Sequence, residues 1–161
     1  MSDHARALAD TIDEQLSLMQ ELNVQLEKEQ DALVVRDMET LQSALSRKVD
    51  LLGAIETSEN RRLALLEAMT GAHDVNAITT ALETLEDPEP VQAQWSELLD
   101  ELQRCRAINE ANGRVIQQQQ YGVQRTIDLL QGDDAPAPQT YGPGAASAPP
   151  ENRGGREISR A

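Results

Sequence analysis

"VVRDMETLQSAL", Val34 to Leu45, decides the fold, because helical patterns run into it and out of it. Upstream, Leu8, Ile12, Leu16, Met19, Leu22, Leu26 and Leu33 recur at helical spacing. They form one apolar face from Asp3 to about Val35, with acidic and amide residues opposite. At ~1.5 Å rise per residue such a helix is roughly 45–50 Å long, which calls for a partner helix. The partner follows at once. Asp37 is a good N-cap, and Met38, Leu41, Leu45, Leu52, Ile55, Leu63, Leu66 and Met69 again keep a helical period. Gly71 then supplies a C-cap free to adopt positive φ. A break this short favours antiparallel neighbours, so the stretch reads as the turn of an α-hairpin. Neither Gly nor Pro interrupts it, which leaves one continuous helix through Arg36 as the alternative.

Beyond Gly71, "HDVNAITTALETLEDPEP" holds a short helix capped by Asp74, with Val75, Ile78, Leu82 and Leu85 inward. Pro90 suits the first turn of the next helix, where its missing N–H costs nothing. From Pro90 to about Gln131 runs a third long segment. Val91, Trp95, Leu98, Leu102, Cys105, Asn109, Asn112, Ile116, Gln119, Val123, Ile127 and Leu130 follow a coiled-coil-like repeat. Asn109, Asn112 and Gln119 stand where Leu would maximise burial, and such residues can fix register or oligomeric state. Gly113 costs a helix about 1 kcal/mol against Ala, and Gly122 is a second weak point. Sticky and loose stretches alternate here, which marks the C-terminal part as a candidate binding surface. The expected fold class is therefore all-α. Residues 1–132 form long antiparallel helices, an α-hairpin plus a third long helix with a short helix between. Residues 133–161 form a disordered C-terminal tail, too rich in Pro, Ala, Gly and Ser to offset the entropy of ordering.

Composition narrows the function. The chain has 161 residues, a formal net charge of −14, no phenylalanine, one tryptophan and two tyrosines. That charge argues against nucleic-acid binding, which needs clustered Lys and Arg, and against anionic membrane surfaces. No stretch approaches the roughly 18 apolar residues of a membrane span, and "MSDHARALAD" is no secretory signal. Cys105 is the only cysteine, so a reducing, cytoplasmic compartment is expected. Enzyme motifs are missing. "YGPGAAS" is Gly-rich but lies in the Pro-rich tail, His4 and His73 are far apart, and Cys105 has no partner at helical spacing. No cofactor or metal site is expected. Cys105 and Trp95 read as core residues, and Tyr121 as partly buried. Tyr141 has no helix to pack on. It is either a docking anchor, as rigid aromatics often are, or an incidental tail residue.

Three features join into a family pattern. One is "EQDALVVRDMETLQSALSRKVDLLGAIETSENRRLALL", with Lys48, Leu51, Leu52, Arg61 and Arg62. Another is "INEANGRVIQ", with Asn109, Asn112 and Gly113. The third is the tail, "TYGPGAAS" followed by "RGGREIS". Together they resemble the FlgN family of flagellar export chaperones, over most of the chain from about residue 5. The resemblance implies a cytosolic, non-enzymatic chaperone of type III flagellar secretion. Such a protein binds the terminal segment of hook-associated proteins, those of the hook–filament junction, and prevents their premature association. It then delivers them to the export gate, at the cytosolic domain of FlhA. The resemblance puts the substrate on the C-terminal part of the third long helix, here Asn112, Ile116, Gln119, Val123, Ile127 and Leu130. It puts gate contact on the tail tyrosine, here Tyr141 with Gly142. The competing reading from the residues is a structural coiled-coil adaptor or homodimeric scaffold without export function. The sequence leaves monomer and homodimer open, and gives Arg153 to Ile158 no role.

Overall fold

A computed structural model describes residues 2–131. The expected tail lies outside the described residues, with Tyr141, Gly142 and Arg153 to Ile158. The element order is α1 (Asp3–Val35), α2 (Met38–Thr70), α3 (Val75–Glu83) and α4 (Pro88–Gln131). The chain divides into two units between Gln124 and Arg125.

The hairpin reading holds. α1 ends because Arg36 takes the left-handed conformation, φ 57°, and the N–H of Asp37 closes back on the carbonyl of Ala32 at 3.0 Å. This is the Schellman closure, normally a glycine's task. Asp37 then starts α2 at once. Its carboxylate accepts from the Thr40 N–H at 3.1 Å and from the Thr40 hydroxyl at 2.6 Å. Those bonds hold the Asp37 carboxyl below its ordinary value. No residue is spent on a linker, so α2 folds straight back along α1.

The α1 face is as expected: Leu8, Ile12, Leu16, Met19, Leu22, Leu26 and Leu33 are all buried. The α2 face is not. Leu51 is 1% exposed while Leu52 is 47% exposed, and Met38 and Leu45 also face solvent. Between Leu41 and Arg62 the packed stripe is Leu41, Ala44, Lys48, Leu51, Ile55, Ser58 and Arg62, in alternating steps of three and four. In this half of α2 the expected Met38, Leu45 and Leu52 stay outside the packed stripe. Lys48 belongs to the packed stripe with the Glu29 carboxylate of α1 at 3.3 Å, and Arg62 with the Trp95 ring of α4, 4.8 Å from its centroid.

α3 begins at Asp74, whose carboxylate accepts from the Asn76 and Ala77 N–H groups. It packs Ala77, Ile78, Ala81 and Leu82 inward, and Leu85 follows. Val75, expected inward, is exposed, because the first helical residue here points away from that stripe. Ala5, Leu8, Ile12, Leu66, Ile78, Ala81, Leu82 and Leu85 make one apolar cluster. A second gathers Leu16, Met19, Leu22, Leu26, Leu51, Leu98 and Cys105. At the hairpin end only Ala32, Leu33 and Leu41 form a cluster, with Val115 and Ile116 of α4 against it. Each fully buried Leu or Ile contributes about 1.5–3 kcal/mol, so the apolar content is concentrated away from the turn.

Candidate functional site

α4 runs parallel to α1, and a polar ladder sets its register. The Cys105 thiol lies 3.9 Å from the Met19 carbonyl, the Asn112 amide donates to the Leu26 carbonyl at 3.0 Å, and the Gln119 amide donates to the Leu33 carbonyl at 3.3 Å. Each pair is separated by 86 residues, so both helices step by seven from rung to rung. A seven-residue step on both partners is the signature of coiled-coil packing. Outer pairs reinforce it: Gln20 with Glu97 at 3.1 Å, Gln94 with Asp13 at 2.8 Å, and Arg104 with Glu27. Asn23 donates to both the carbonyl and the carboxylate of Glu101.

Lys48 joins three helices in one polar layer. From α2 its ammonium reaches the Glu29 carboxylate of α1 and, at 2.6 Å, the Asn109 side-chain oxygen of α4. Asn109 and Asn112 thus serve register. Asn112 is fully buried, and its side-chain oxygen has no hydrogen-bond partner. Sequence reasoning missed Glu29, Lys48, Asn23 and Gln15. The one available signal was that Lys48 and Arg62 fall on the same heptad-spaced stripe as Leu41, Leu51 and Ile55.

The predicted substrate residues divide. Asn112, Ile116 and Gln119 hold α4 to the α1–α2 hairpin end. Val123 is 61% exposed, and Tyr121, expected partly buried, is exposed too. The ladder's register pairs Val35, the last residue of α1, with Tyr121. Within the second unit, Ile127 is 40% and Leu130 82% exposed on helical backbone.

A cavity of about 360 Å³ opens in the first unit between α2 and α4, with α1 as its floor. Its lining includes Gln15, Ile55, Glu56, Glu59, Trp95 and Leu99. Arg62 stacks on Trp95, 4.8 Å from the ring centroid, and donates to Glu59 at 2.6 Å. The Gln15 amide donates to the same carboxylate at 3.1 Å. Burial opposes ionisation of Glu59, but the Arg62 hydrogen bond and charge, with the Gln15 amide, outweigh it and hold the carboxyl below its ordinary 4.5. Cys105, as expected, is a core residue. Burial pushes its thiol up to about 11, with the Glu101 charge adding to the shift and Arg104 opposing it. A thiol so placed is a poor nucleophile.

Among the described residues no group of three or more His, Cys, Asp or Glu side chains could hold a metal ion. No described helix is long and apolar enough to cross a membrane. A family model described as FlgN protein matches residues 1–149. No curated protein and no solved structure matches the chain.

Proposed function

The chain belongs to the FlgN family, which carries a general flagellar export chaperone role, and from that premise we propose how it holds and delivers its cargo. The cargo is the terminal segment of a hook-associated protein, an amphipathic stretch that lacks its assembled partners in the cytosol. It docks on the C-terminal part of α4. The observation that carries this reading is the change in α4 past Gln119. Up to that point the helix is tied to α1 by its ladder. Past it, Val123 is exposed, and Ile127 and Leu130 are exposed in the unit that follows. Exposed apolar side chains at helical spacing suit a helix-in-groove partner. Asn112, Ile116 and Gln119 form the anchored root of this segment, and their release would lengthen the surface offered to cargo. Tyr141 and Gly142 are the docking element for the export gate, the cytosolic domain of FlhA. Handover needs reversible binding, and the free energy spent ordering the cargo keeps affinity moderate.

The test is a pull-down from the native cytoplasm with the full chain and with a chain ending at Gly132. Hook-associated proteins should come down with both forms, and gate protein only with the longer. Val123→Asp combined with Ile127→Asp should abolish cargo capture while circular dichroism stays helical. Tyr141→Ala should weaken gate docking and leave cargo capture intact. A chain that retains no flagellar protein and returns as a tight homodimer would replace this reading with the scaffold.

A further inference from the structure

The cavity between α2 and α4 shares only Met19 with the ladder and has no part in the cargo reading, which it does not depend on. It continues a stripe. Met38, Leu45, Val49 and Leu52 are exposed apolar residues of α2 at steps of seven, four and three. The next steps of four and three along the same face are Glu56 and Glu59, at the cavity. Fourteen residues separate Met38 from Leu52, roughly 20 Å of helix at ~1.5 Å per residue. The opposite wall is Trp95, Leu99 and Leu102 of α4, again at steps of four and three. Two walls with helical spacing and an apolar lead-in of that length fit a helix rather than a small molecule.

The polar groups state what that helix must carry. Gln15 is 5% exposed, lines the cavity, and spends its amide N–H on Glu59, which leaves its side-chain oxygen without a partner. A buried carbonyl left unpaired is costly, so the site gains from a donor. Glu59 is occupied by Arg62 and Gln15, whereas the Glu56 carboxylate lines the same cavity. Both features ask for the same thing, a donor that is also a cation. We infer that this groove is a second docking surface, which takes an amphipathic helix of another protein bearing a Lys or Arg among its Leu, Ile or Met residues. The cation enters the cavity toward Glu56 and the Gln15 oxygen, and the apolar residues cover Leu52, Ile55 and Leu99. A second copy of this chain is a poor occupant because a net charge of −14 repels its own kind.

Trp95 is the only tryptophan and lines the cavity, so its emission reports occupancy. The probes are a designed 21-residue helical peptide (about six turns) with a Leu heptad face and one central Lys, its twin with Glu for that Lys, and a scrambled peptide of identical composition. With the full chain, the Lys peptide should change Trp95 emission saturably and bind at least about tenfold more tightly than either control, the effect of one lost charge-assisted contact. Glu56→Gln should bring the Lys and Glu peptides to within about threefold of each other, and Leu52→Asp should remove binding. Both side chains are exposed, so circular dichroism should not change. Val123→Asp, which tests the cargo reading, should leave this binding untouched. Equal binding of all three peptides would overturn the inference. So would a Trp95 change on removing residues 133–161, which would make the chain's own tail the occupant. A Trp95 change on raising protein concentration without peptide would overturn it in favour of a second copy.

Discussion

Where α3 closes the first unit, Leu8, Ile12, Leu66, Ile78, Ala81 and Leu82 meet with hardly any polar group among them. Where α1 turns into α2, the apolar cluster shrinks to Ala32, Leu33 and Leu41, and polar side chains take over the joining of helices. Lys48 bridges Glu29 and Asn109, Asn112 reaches Leu26, and Gln119 reaches Leu33. The difference teaches that stability and register have been placed in different parts of one fold. Apolar burial is strong and indifferent to register, whereas a buried amide accepts few alternatives and adds little net free energy. The weaker end is the one that Asn112, Ile116 and Gln119 of α4 join.

The contrast can be broken first at its apolar pole. Leu8→Ala should lower stability by about 4 kcal/mol in urea denaturation, since Leu8 is wholly buried among side chains held by three helices. Leu41→Ala should cost only about 2 kcal/mol, because the hairpin end can relax around the loss. Equal costs would erase the distinction.

Cys105 stands where the apolar cluster meets the first rung of the ladder. Its thiol is raised from 9.0 to about 11, so at pH 8 it should react with a soluble disulfide reagent about a hundredfold more slowly than in urea. A thiol raised on folding stabilises below its unfolded value. Its contribution should fade as pH rises from about 9 toward 11. Rapid native labelling would mean that α4 opens from α1 at this rung.

Lys48→Met removes the cation from the Glu29 carboxylate, whose side chain is buried, and should cost about 1–3 kcal/mol. Adding Glu29→Gln should recover part of it, measured as a double-mutant cycle. Smallest is Asn112→Leu. The Leu26 carbonyl keeps its helical bond, and the partnerless Asn112 oxygen disappears, so thermal melting should show about 1 kcal/mol of added stability. A loss of that size would show that the amide holds the fold together as well as aligning it.

Much of this was legible in the sequence. The Leu8 to Leu33 stripe named the apolar part of the buried face of α1, though not the buried Gln15, Asn23 and Glu29 beside it, whose partners are polar groups of other helices. Asp37, Asp74 and Gly71 marked helix ends by chemistry that is local, a carboxylate on free N–H groups or a positive φ at 71°. Arg36 was not legible as the break, since a left-handed arginine leaves no signal in residue type. Three positions of the α2 stripe, Met38, Leu45 and Leu52, were misread for a different reason. Met38, Leu45 and Leu52 outscore Lys48, Ser58 and Arg62 on hydrophobicity, yet Lys48 and Arg62 pack against Glu29 of α1 and Trp95 of α4, partners far off in sequence. The Asn and Gln residues of α4 were legible as register elements, but the Leu26 and Leu33 carbonyls they reach were not. Nor was the cavity at Trp95, which needs three helices in place before it exists.

The proposed cargo reading has α4 held through Gln119 and offers its C-terminal part to cargo. Amide hydrogen exchange along the full chain tests this most directly, with and without the terminal segment of a hook-associated protein. Amides from Leu98 to Asn112 should be the best protected in α4 in both states. Those from Val123 to Leu130 should exchange at least about a hundredfold faster when free and slow markedly when cargo is added. Uniform protection along α4, or cargo protection confined to residues before Asn112, would contradict the claim.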